Sequence, residues 1–313
     1  KIANDICKKV GRVWLLTGTP MTSRPINYYN LLDLVDSPVA YNWMAYAIRY
    51  CEGYQFNVGN RKVWNLNGAA NLEELRDRTK SHVLRRLKED ILDLPDKIIT
   101  PVFLRLKSKQ YEALMGEYFD WYEKSEESSS LTVQFSKLMK VRQIIAEEKI
   151  ENTIEVAENI IEQGKKVIIF TNFTDTLNKI KAHFGKSAVS LDGKMSKPNR
   201  QNSVDEFQEN DKIKVFVGNL KAAGVGITLT SAEAVIMNDL SFVPSDHAQA
   251  EDRAYRYGQN SNVSVFYPIF ENSIEGAIYD ILSKKKNIFE TVMGDNLDKG
   301  TILEEILNTI SKR

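Results

Sequence analysis

From residue 151 onward, short apolar runs alternate with amphipathic helical segments, and this alternation constrains the fold more than any other feature. Apolar runs of buried-strand type occur at 166–170, 188–191, 214–217, 234–237 and 263–267. Repeated strand–helix units predict a parallel sheet with right-handed crossovers and with helices on both faces. The predicted fold class is therefore α/β.

Small polar residues follow several of these runs at the positions where the strands are expected to end. Thr171 and Asn172 follow the first run, and residues 218–226 form a loop with three glycines after the third. The carboxyl ends of parallel strands meet along one edge of a sheet, which is where α/β proteins place functional groups. The loops are therefore expected to share one edge.

Two arginines stand close together in the stretch 249–259. Pro244 is typical of a helix start and Gly258 of a helix stop, so the stretch is predicted to be helical. Gln249, Arg253 and Arg256 are then four and three residues apart and share one face. Two guanidiniums repel each other unless an anion lies between them, and they match phosphate oxygens in pairs. The stretch indicates a polyphosphate site.

A bland alternative stays open for the same stretch. It could be a solvated surface helix in which Glu251 and Asp252 balance the arginines. Gln249 could simply complete a capping box that begins at Asp246.

The first 150 residues follow a different pattern. Residues 13–16 are an apolar run of buried-strand type, but no sheet is evident around them. Residues 26–150 are predicted to be mostly helical, with a loop or hairpin at 53–68, a capping box at 71–74 and a strand near 98–106. The basic residues between 76 and 88 could contact DNA phosphates or could form a solvated helix face.

Charge and cysteine content narrow the choice of partners and compartment. The formal net charge is zero, so any nucleic-acid surface must be a local patch. Cys7 and Cys51 lack metal or disulfide spacing, and the three histidines show no ligand spacing, so no metal site is predicted. No apolar run approaches membrane-spanning length, and no membrane association is expected. We expect a cytoplasmic protein of bacterial or phage source, or a nuclear one if the source is eukaryotic.

Taken in order, the loops resemble the later motifs of the Snf2 family of superfamily 2 helicase-like ATPases. The matching stretches are 16–20 with Arg24 and Pro25 (motif III), 167–173 (motif IV), 218–229 (motif V) and 249–259 (motif VI). The family's Leu-Arg-Arg-Leu-Lys and Leu-Pro-x-Lys segments match 84–88 and 94–97. Residues 48–53 look most like the branch of annealing helicases. Two departures are Tyr255, where the family usually has His, and Tyr257, where it usually has Ile.

The resemblance implies a DNA-dependent ATPase that uses ATP and Mg²⁺ and moves along double-stranded or branched DNA. Arg253 and Arg256 would be arginine fingers, which stabilise charge on the transferred phosphoryl group. The residues implied at the nucleotide site are Gln249, Gly224, Gly226, Thr17 and Thr19. Those implied at the DNA backbone are Thr171, Asn172, Lys221 and Thr228.

The resemblance also implies a domain plan. Residues 1–25 would end a first RecA-like lobe, and 26–150 would be Snf2-specific helical protrusions and a linker. Residues 151–272 would form a second RecA-like lobe, and 273–313 a brace helix and tail. No Gly-x-x-x-x-Gly-Lys phosphate loop and no Asp-Glu-x-His occur in the sequence. We therefore expect a missing N-terminal lobe, a chain that is inactive alone, a monomeric motor, and arginines that are exposed and unpartnered.

Two alternatives remain at this stage. The chain could be a non-catalytic DNA or protein interaction module that keeps the helicase fold. It could also be an RNA-polymerase-associated remodeller of the same superfamily.

Overall fold

A computed structural model describes residues 2–17, 20, 25–59, 61–66, 68–84, 86, 88–124, 131–223, 226–280 and 282. These residues form two compact units, the first running to Ile91 and the second beginning at Leu92. Thr19, Gly224, Arg24 and most of the predicted brace helix and tail lie outside the described residues.

The first unit is mainly helical, as predicted. Its elements are α1 (Ile2–Cys7), α2 (Pro25–Leu34), a 3₁₀ turn (Pro38–Ala40), α3 (Trp43–Cys51), strands β1 (Tyr54–Val58) and β2 (Arg61–Asn65), α4 (Leu72–Thr79) and α5 (Lys88–Ile91). The two strands pair as an antiparallel hairpin, which confirms the hairpin reading of residues 53–68.

Aromatic side chains from α2 and α3 form the core of the first unit. Tyr28, Tyr46 and Tyr50 are buried together with Leu32 and Leu75. The Tyr46 hydroxyl donates to the Pro25 carbonyl at 2.6 Å, so its polar end is satisfied inside the core. Ring packing between consecutive helices therefore holds this small unit together.

Two local predictions for the first unit are wrong. Residues 13–16 are not a strand: Trp14 is 83% exposed and Leu16 is 94% exposed. Among the described residues no strand pairs with this run, so its backbone has no ladder to join. Asn71 does not cap α4 with its side chain, because the side-chain amide donates to the Arg49 carbonyl at 2.8 Å.

The second unit alternates strands and helices. Its elements are β3 (Lys97–Leu104), α6 (Lys109–Lys124), α7 (Leu131–Glu148), α8 (Ile150–Glu162), β4 (Val167–Thr171), α9 (Thr174–Phe184), a 3₁₀ turn (Gly185–Ser187), β5 (Ala188–Leu191), α10 (Lys197–Glu209), β6 (Val215–Asn219), α11 (Leu220–Ala223), β7 (Ala234–Met237), α12 (Pro244–Glu251) and β8 (Val263–Phe270). Residues 274–280 are helical.

The strands of the second unit form one six-stranded sheet in the order β3-β8-β7-β4-β6-β5. All of its strand pairs are parallel, which confirms the predicted fold class. Ala157 of α8 and Leu177 of α9 pack on one face of the sheet, against Ile169. Phe207 of α10 packs against Phe216, whose side chain points to the other face. Helices thus cover both faces.

The sheet begins earlier in the chain than the sequence indicated. Strand β3 lies within the stretch predicted as helical protrusions, yet it pairs with β8 along its whole length, from Lys97 opposite Val263 to Leu104 opposite Phe270. The start of the compact unit at Leu92 therefore differs from the predicted boundary at 150/151.

Candidate functional site

The arginines of 249–259 lie beyond a helix rather than on it. Helix α12 ends at Glu251, and residues 252–258 form consecutive turns and bends. The Tyr255 amide donates to the Glu251 carbonyl at 3.0 Å and closes the first of these turns. Gly258 has φ of 95°, which an L side chain rarely adopts. We call residues 252–258 the arginine turn.

Gln249 lies inside α12 and does not cap it. The N-cap residue is Val243, which makes no side-chain cap, so the capping-box alternative is wrong. The Gln249 carbonyl instead accepts a hydrogen bond from Arg253 Nε at 2.8 Å. Carbonyls in the last turn of a helix lack helical partners, and here a guanidinium supplies one.

Both arginine side chains reach the same short loop. Arg253 Nη1 donates to the Ile227 carbonyl at 3.0 Å, and Arg256 Nη1 donates to Thr228 Oγ1 at 3.0 Å. The prediction that the pair is unpartnered is therefore wrong, and only Arg256 is exposed. Every hydrogen bond that these two side chains make to described residues goes to a neutral oxygen.

The electrostatics of the pair favour an anion nearby. Burial lowers the pKa of Arg253, and the neighbouring charge of Arg256 lowers it further, while Asp252 acts in the opposite direction. Because both guanidiniums keep their charge at working pH, their mutual repulsion is relieved when an anion binds them. The arrangement suits phosphate oxygens.

The backbone around Ile227 and Thr228 is fixed to the arginine turn. The Leu229 amide donates to the Arg253 carbonyl at 2.9 Å, and Gly226 has φ of 78°. The buried side-chain amide of Gln259 donates to the carbonyls of Thr230, Ala232 and Ala254. The hydroxyl of Thr228, a residue predicted to contact DNA, accepts the hydrogen bond from Arg256.

Glu251 anchors the back of the arginine turn and does not balance the arginines. Its side chain is buried, and Oε2 lies 2.7 Å from Lys97 Nζ while Oε1 accepts from the Tyr267 hydroxyl at 2.7 Å. Burial and the Glu251 charge raise the pKa of Tyr267. Lys97 Nζ also lies 5.4 Å from the centre of the Tyr255 ring. Strand β3 is thereby tied to the arginine turn.

Hydrogen bonds to Asp239 join the end of β4 to the residues that follow β7. Asp239 accepts from the Thr171 hydroxyl at 2.5 Å and from the Asn172 amide N–H at 2.9 Å, and it also accepts from the Asn172 side chain. Thr171 is fully buried, so the predicted direct contact of this residue with DNA is wrong for this conformation. Asp239 was not among the residues predicted from the sequence.

Asn219 links the two predicted DNA-facing loops. Its side-chain amide donates to the Asn172 carbonyl at 3.0 Å, and its Oδ1 accepts from the Lys221 amide at 3.2 Å. Lys221 is exposed at the start of α11. Asn172, in the loop after β4, and Lys221, in the first turn of α11, are therefore fixed to each other through Asn219 at the carboxyl end of the sheet. Thr17 is exposed and belongs to the first unit.

A charged network is buried below this edge. Lys149 pairs with Glu275, and Arg142 donates to the Leu240 carbonyl while lying over the Phe242 ring. Burial lowers the pKa of Lys149 and raises that of Glu275, and their mutual attraction opposes both shifts. The network joins α7, α8 and residues 274–280 to the end of β7.

The described residues contain neither a metal-binding cluster nor a membrane-spanning helix. No group of three or more His, Cys, Asp or Glu side chains among them is placed to hold a metal ion. In the same part of the chain no helix combines the length and apolar character needed to cross a bilayer.

Two family models match most of the chain. The "SNF2-related domain" matches residues 4–163, and the "Helicase conserved C-terminal domain" matches residues 148–258. The second match contains the Asn172, Lys221 and arginine-turn loops described above.

Curated relatives extend the similarity over nearly the whole chain. The chain is 32% identical over 310 residues to the SWI/SNF-related matrix-associated actin-dependent regulator of chromatin subfamily A-like protein 1 of Drosophila melanogaster, covering 96% of this chain and 40% of that protein. It is 26% identical to the DNA annealing helicase and endonuclease ZRANB3 of Mus musculus, covering 96% and 29%. The chain thus spans less than half the length of these relatives, and these animal proteins lend no support to a bacterial or phage source.

A solved structure agrees with the fold. The Sulfolobus solfataricus SWI2/SNF2 ATPase core in complex with dsDNA matches with a TM-score of 0.57 and 26% identity, covering 95% of this chain and 65% of that one.

Proposed function

This chain belongs to the Snf2 family of helicase-like ATPases, and on that premise we propose that it is part of an ATP-driven translocase on double-stranded or branched DNA. The observation that carries the proposal is the convergence of Arg253 and Arg256 on the loop of Ile227 and Thr228. This loop and the DNA-facing loops lie in one compact unit. One compact unit therefore carries both the candidate phosphate site and the candidate surface for the DNA backbone.

In this proposal Arg253 and Arg256 are arginine fingers. Two adjacent guanidiniums with neutral hydrogen-bond partners stabilise charge that develops on phosphate oxygens in the transition state. The Ile227 carbonyl and the Thr228 hydroxyl hold the two guanidinium groups in place. Little further ordering of these side chains is therefore required when the phosphate binds. Gln249 and Gly226 adjoin this pair within the second unit. Nucleotide contacts are proposed for Thr17, Thr19 and Gly224 on the family resemblance alone.

The residues of this chain could contact a bound nucleotide from one side only. The sequence has no Gly-x-x-x-x-Gly-Lys pattern, and it covers 40% of the Drosophila relative. We assign the phosphate loop and the Mg²⁺ ligands to a first lobe outside these 313 residues. Bound Mg²⁺ would neutralise charge on the phosphate oxygens there.

The DNA contacts are proposed for the edge that carries Asn172 and Lys221. An exposed lysine and a side-chain amide on segments that are fixed to each other suit backbone phosphates, which carry no sequence information. Binding should therefore be independent of sequence and should weaken as salt rises. Thr171 contributes indirectly, by fixing Asp239 behind Asn172.

The domain roles follow from this proposal. Residues 1–25 would complete the first lobe, the rest of the first unit would form a protrusion, and the second lobe would start at Leu92. Residues 273–313 would brace that lobe.

ATP hydrolysis by the intact protein tests the proposal. Turnover should rise on addition of double-stranded DNA of any sequence, and the isolated 313-residue chain should be inactive. Turnover that does not respond to DNA would contradict the translocase proposal, and the absence of any turnover in the intact protein would favour a non-catalytic interaction module.

A further inference from the structure

The β1–β2 hairpin of the first unit has one face that is exposed and one face that packs against α3. In an antiparallel pair, directly opposite residues point to the same face. Tyr54, Phe56 and Arg61 therefore share one face with their partners Asn65, Val63 and Val58. The opposite face carries Trp64, whose ring packs edge-on against Trp43 of α3 with centroids 5.3 Å apart. We call the first of these the aromatic face.

The aromatic face is open to solvent. Tyr54 is 57% exposed, while Phe56 and Val63 are each 41% exposed. The two rings lie side by side, with centroids 6.3 Å apart. Adjacent exposed apolar side chains on one surface typically mark a binding site.

The Tyr54 ring is held in position before any ligand arrives. Its hydroxyl accepts a hydrogen bond from the Asn65 side-chain amide across the hairpin at 2.9 Å. The bond leaves the ring face free while limiting its rotation. A platform ordered in this way loses less entropy on binding than a mobile side chain does.

The charge of the hairpin indicates what it binds. Residues 54–65 contain Arg61 and Lys62 and no acidic residue. Arg61 lies on the aromatic face, whereas Lys62, which is also exposed, lies opposite Asn57 on the other face. Aromatic rings next to cations, without carboxylates, complement an anionic ligand that has flat apolar parts.

We propose that the aromatic face binds single-stranded DNA by stacking unpaired bases on Tyr54 and Phe56, while Arg61 on the same face contacts the adjoining phosphates. Aromatic residues that alternate on a sheet surface stack successive bases in this way. The site goes beyond the proposed translocase, whose contacts grip duplex phosphates and use no base. It would hold the unpaired strand of a branched substrate.

Binding of the 313-residue chain to fluorescein-labelled dT15, without nucleotide and at low salt, tests the inference. The probe is compared with an oligomer of the same length that has abasic sites in place of every base. Wild-type protein should bind dT15 at least tenfold more tightly than the abasic probe, because stacking needs bases. Y54A/F56A should bind both probes with equal, weak affinity.

The control variants separate stacking from folding and from general hydrophobicity. Y54F/F56Y keeps both rings and should keep the preference for dT15, whereas Y54L/F56L keeps apolar area without flat rings and should lose it. Y41A removes an exposed ring (69%) from the same unit that is not part of the hairpin, and it should bind like wild type. Thermal unfolding confirms that each variant is folded.

Two results would overturn the inference: equal affinity of wild type for the two probes, or equal losses in Y41A and Y54A/F56A. Neither result depends on ATP, so a failure here leaves the translocase proposal untouched. If the intact protein lacked DNA-stimulated ATPase activity but the chain still bound dT15, only the translocase proposal would be contradicted.

Discussion

Lys97 Nζ lies 2.7 Å from Glu251 Oε2, although 153 residues separate the two positions in the sequence. Lys97 begins the edge strand β3, and Glu251 is the last residue of α12, directly before the arginine turn. The Glu251 carbonyl also accepts the Tyr255 amide that closes this turn. The ion pair therefore fixes the segment that carries Arg253 and Arg256.

Replacing this lysine should destabilise the second unit. K97M leaves Glu251 buried with only the Tyr267 hydroxyl as a side-chain partner, and we expect a loss of about 2 kcal/mol in the free energy of unfolding. Urea titration followed by circular dichroism measures the loss. In the intact protein kcat for ATP should fall more than the KM changes, and K97R should restore it.

Lys179 provides a matched control for that variant. It pairs with Glu147 at a similar distance, 2.8 Å, but both side chains are much more exposed. K179M should therefore cost under about 1 kcal/mol. Equal losses in K97M and K179M would show that burial of Glu251 does not matter and would remove the anchoring role of Lys97.

Asp239 is expected to order the loop that follows β4. D239N exchanges an acceptor-only carboxylate for an amide that faces the Thr171 hydroxyl and the Asn172 N–H, so at least one hydrogen bond is lost. We expect about 1–3 kcal/mol of destabilisation and faster hydrogen exchange at the Asn172 amide. Exchange measured by NMR reports both effects locally.

Asp192 offers the comparison for this prediction. Its Oδ1 also accepts two backbone N–H groups, from Lys194 and Met195. D192N should change exchange there and leave the Asn172 amide unaffected. Unchanged protection of Asn172 in D239N would contradict the prediction.

His247 should make stability depend on pH. It is buried, and its Nε2 accepts from the Ser241 amide at 2.9 Å, so burial lowers its pKa despite the opposing charges of Glu251, Asp246 and Asp239. Below its ordinary value of about 6.5 the unfolded chain binds a proton that the folded protein does not. This contribution is complete above that pH and is lost as pH falls towards the lowered pKa, by at most about 1.4 kcal/mol per pH unit.

Unfolding free energies at pH 7.5 and 5.5 test this sign. The difference between the two values should shrink in H247Q and persist in H82Q, because His82 is exposed. An identical difference in wild type and H247Q would contradict the prediction.

The five strands after residue 151 were predictable because each is a continuous apolar run, as expected when both faces of a parallel strand are covered. The place of β3 was not. Its alternating pattern predicts a strand, but its partner Val263 lies 166 residues away, and nothing local specifies that pairing.

The sequence predicted which residues form the candidate site better than it predicted which atoms they contact. The spacing of three residues predicted that Arg253 and Arg256 lie together. They do so although α12 ends before them, because consecutive turns place both side chains near one loop. Thr171 looked available to a ligand because it ends a strand. Its hydroxyl is instead taken by Asp239, which stands 68 residues later.

The central claim is that Arg253 and Arg256 act on the transferred phosphoryl group. The most direct test is kcat for DNA-stimulated ATP hydrolysis by the intact protein carrying R253A or R256A. Arg200 supplies the control, because its guanidinium also donates to backbone carbonyls, those of Met195, Asp192 and Gly193. We predict that each finger variant lowers kcat about 10³-fold or more, with DNA affinity retained and R200A unaffected. Wild-type kcat in R253A and R256A would contradict the account.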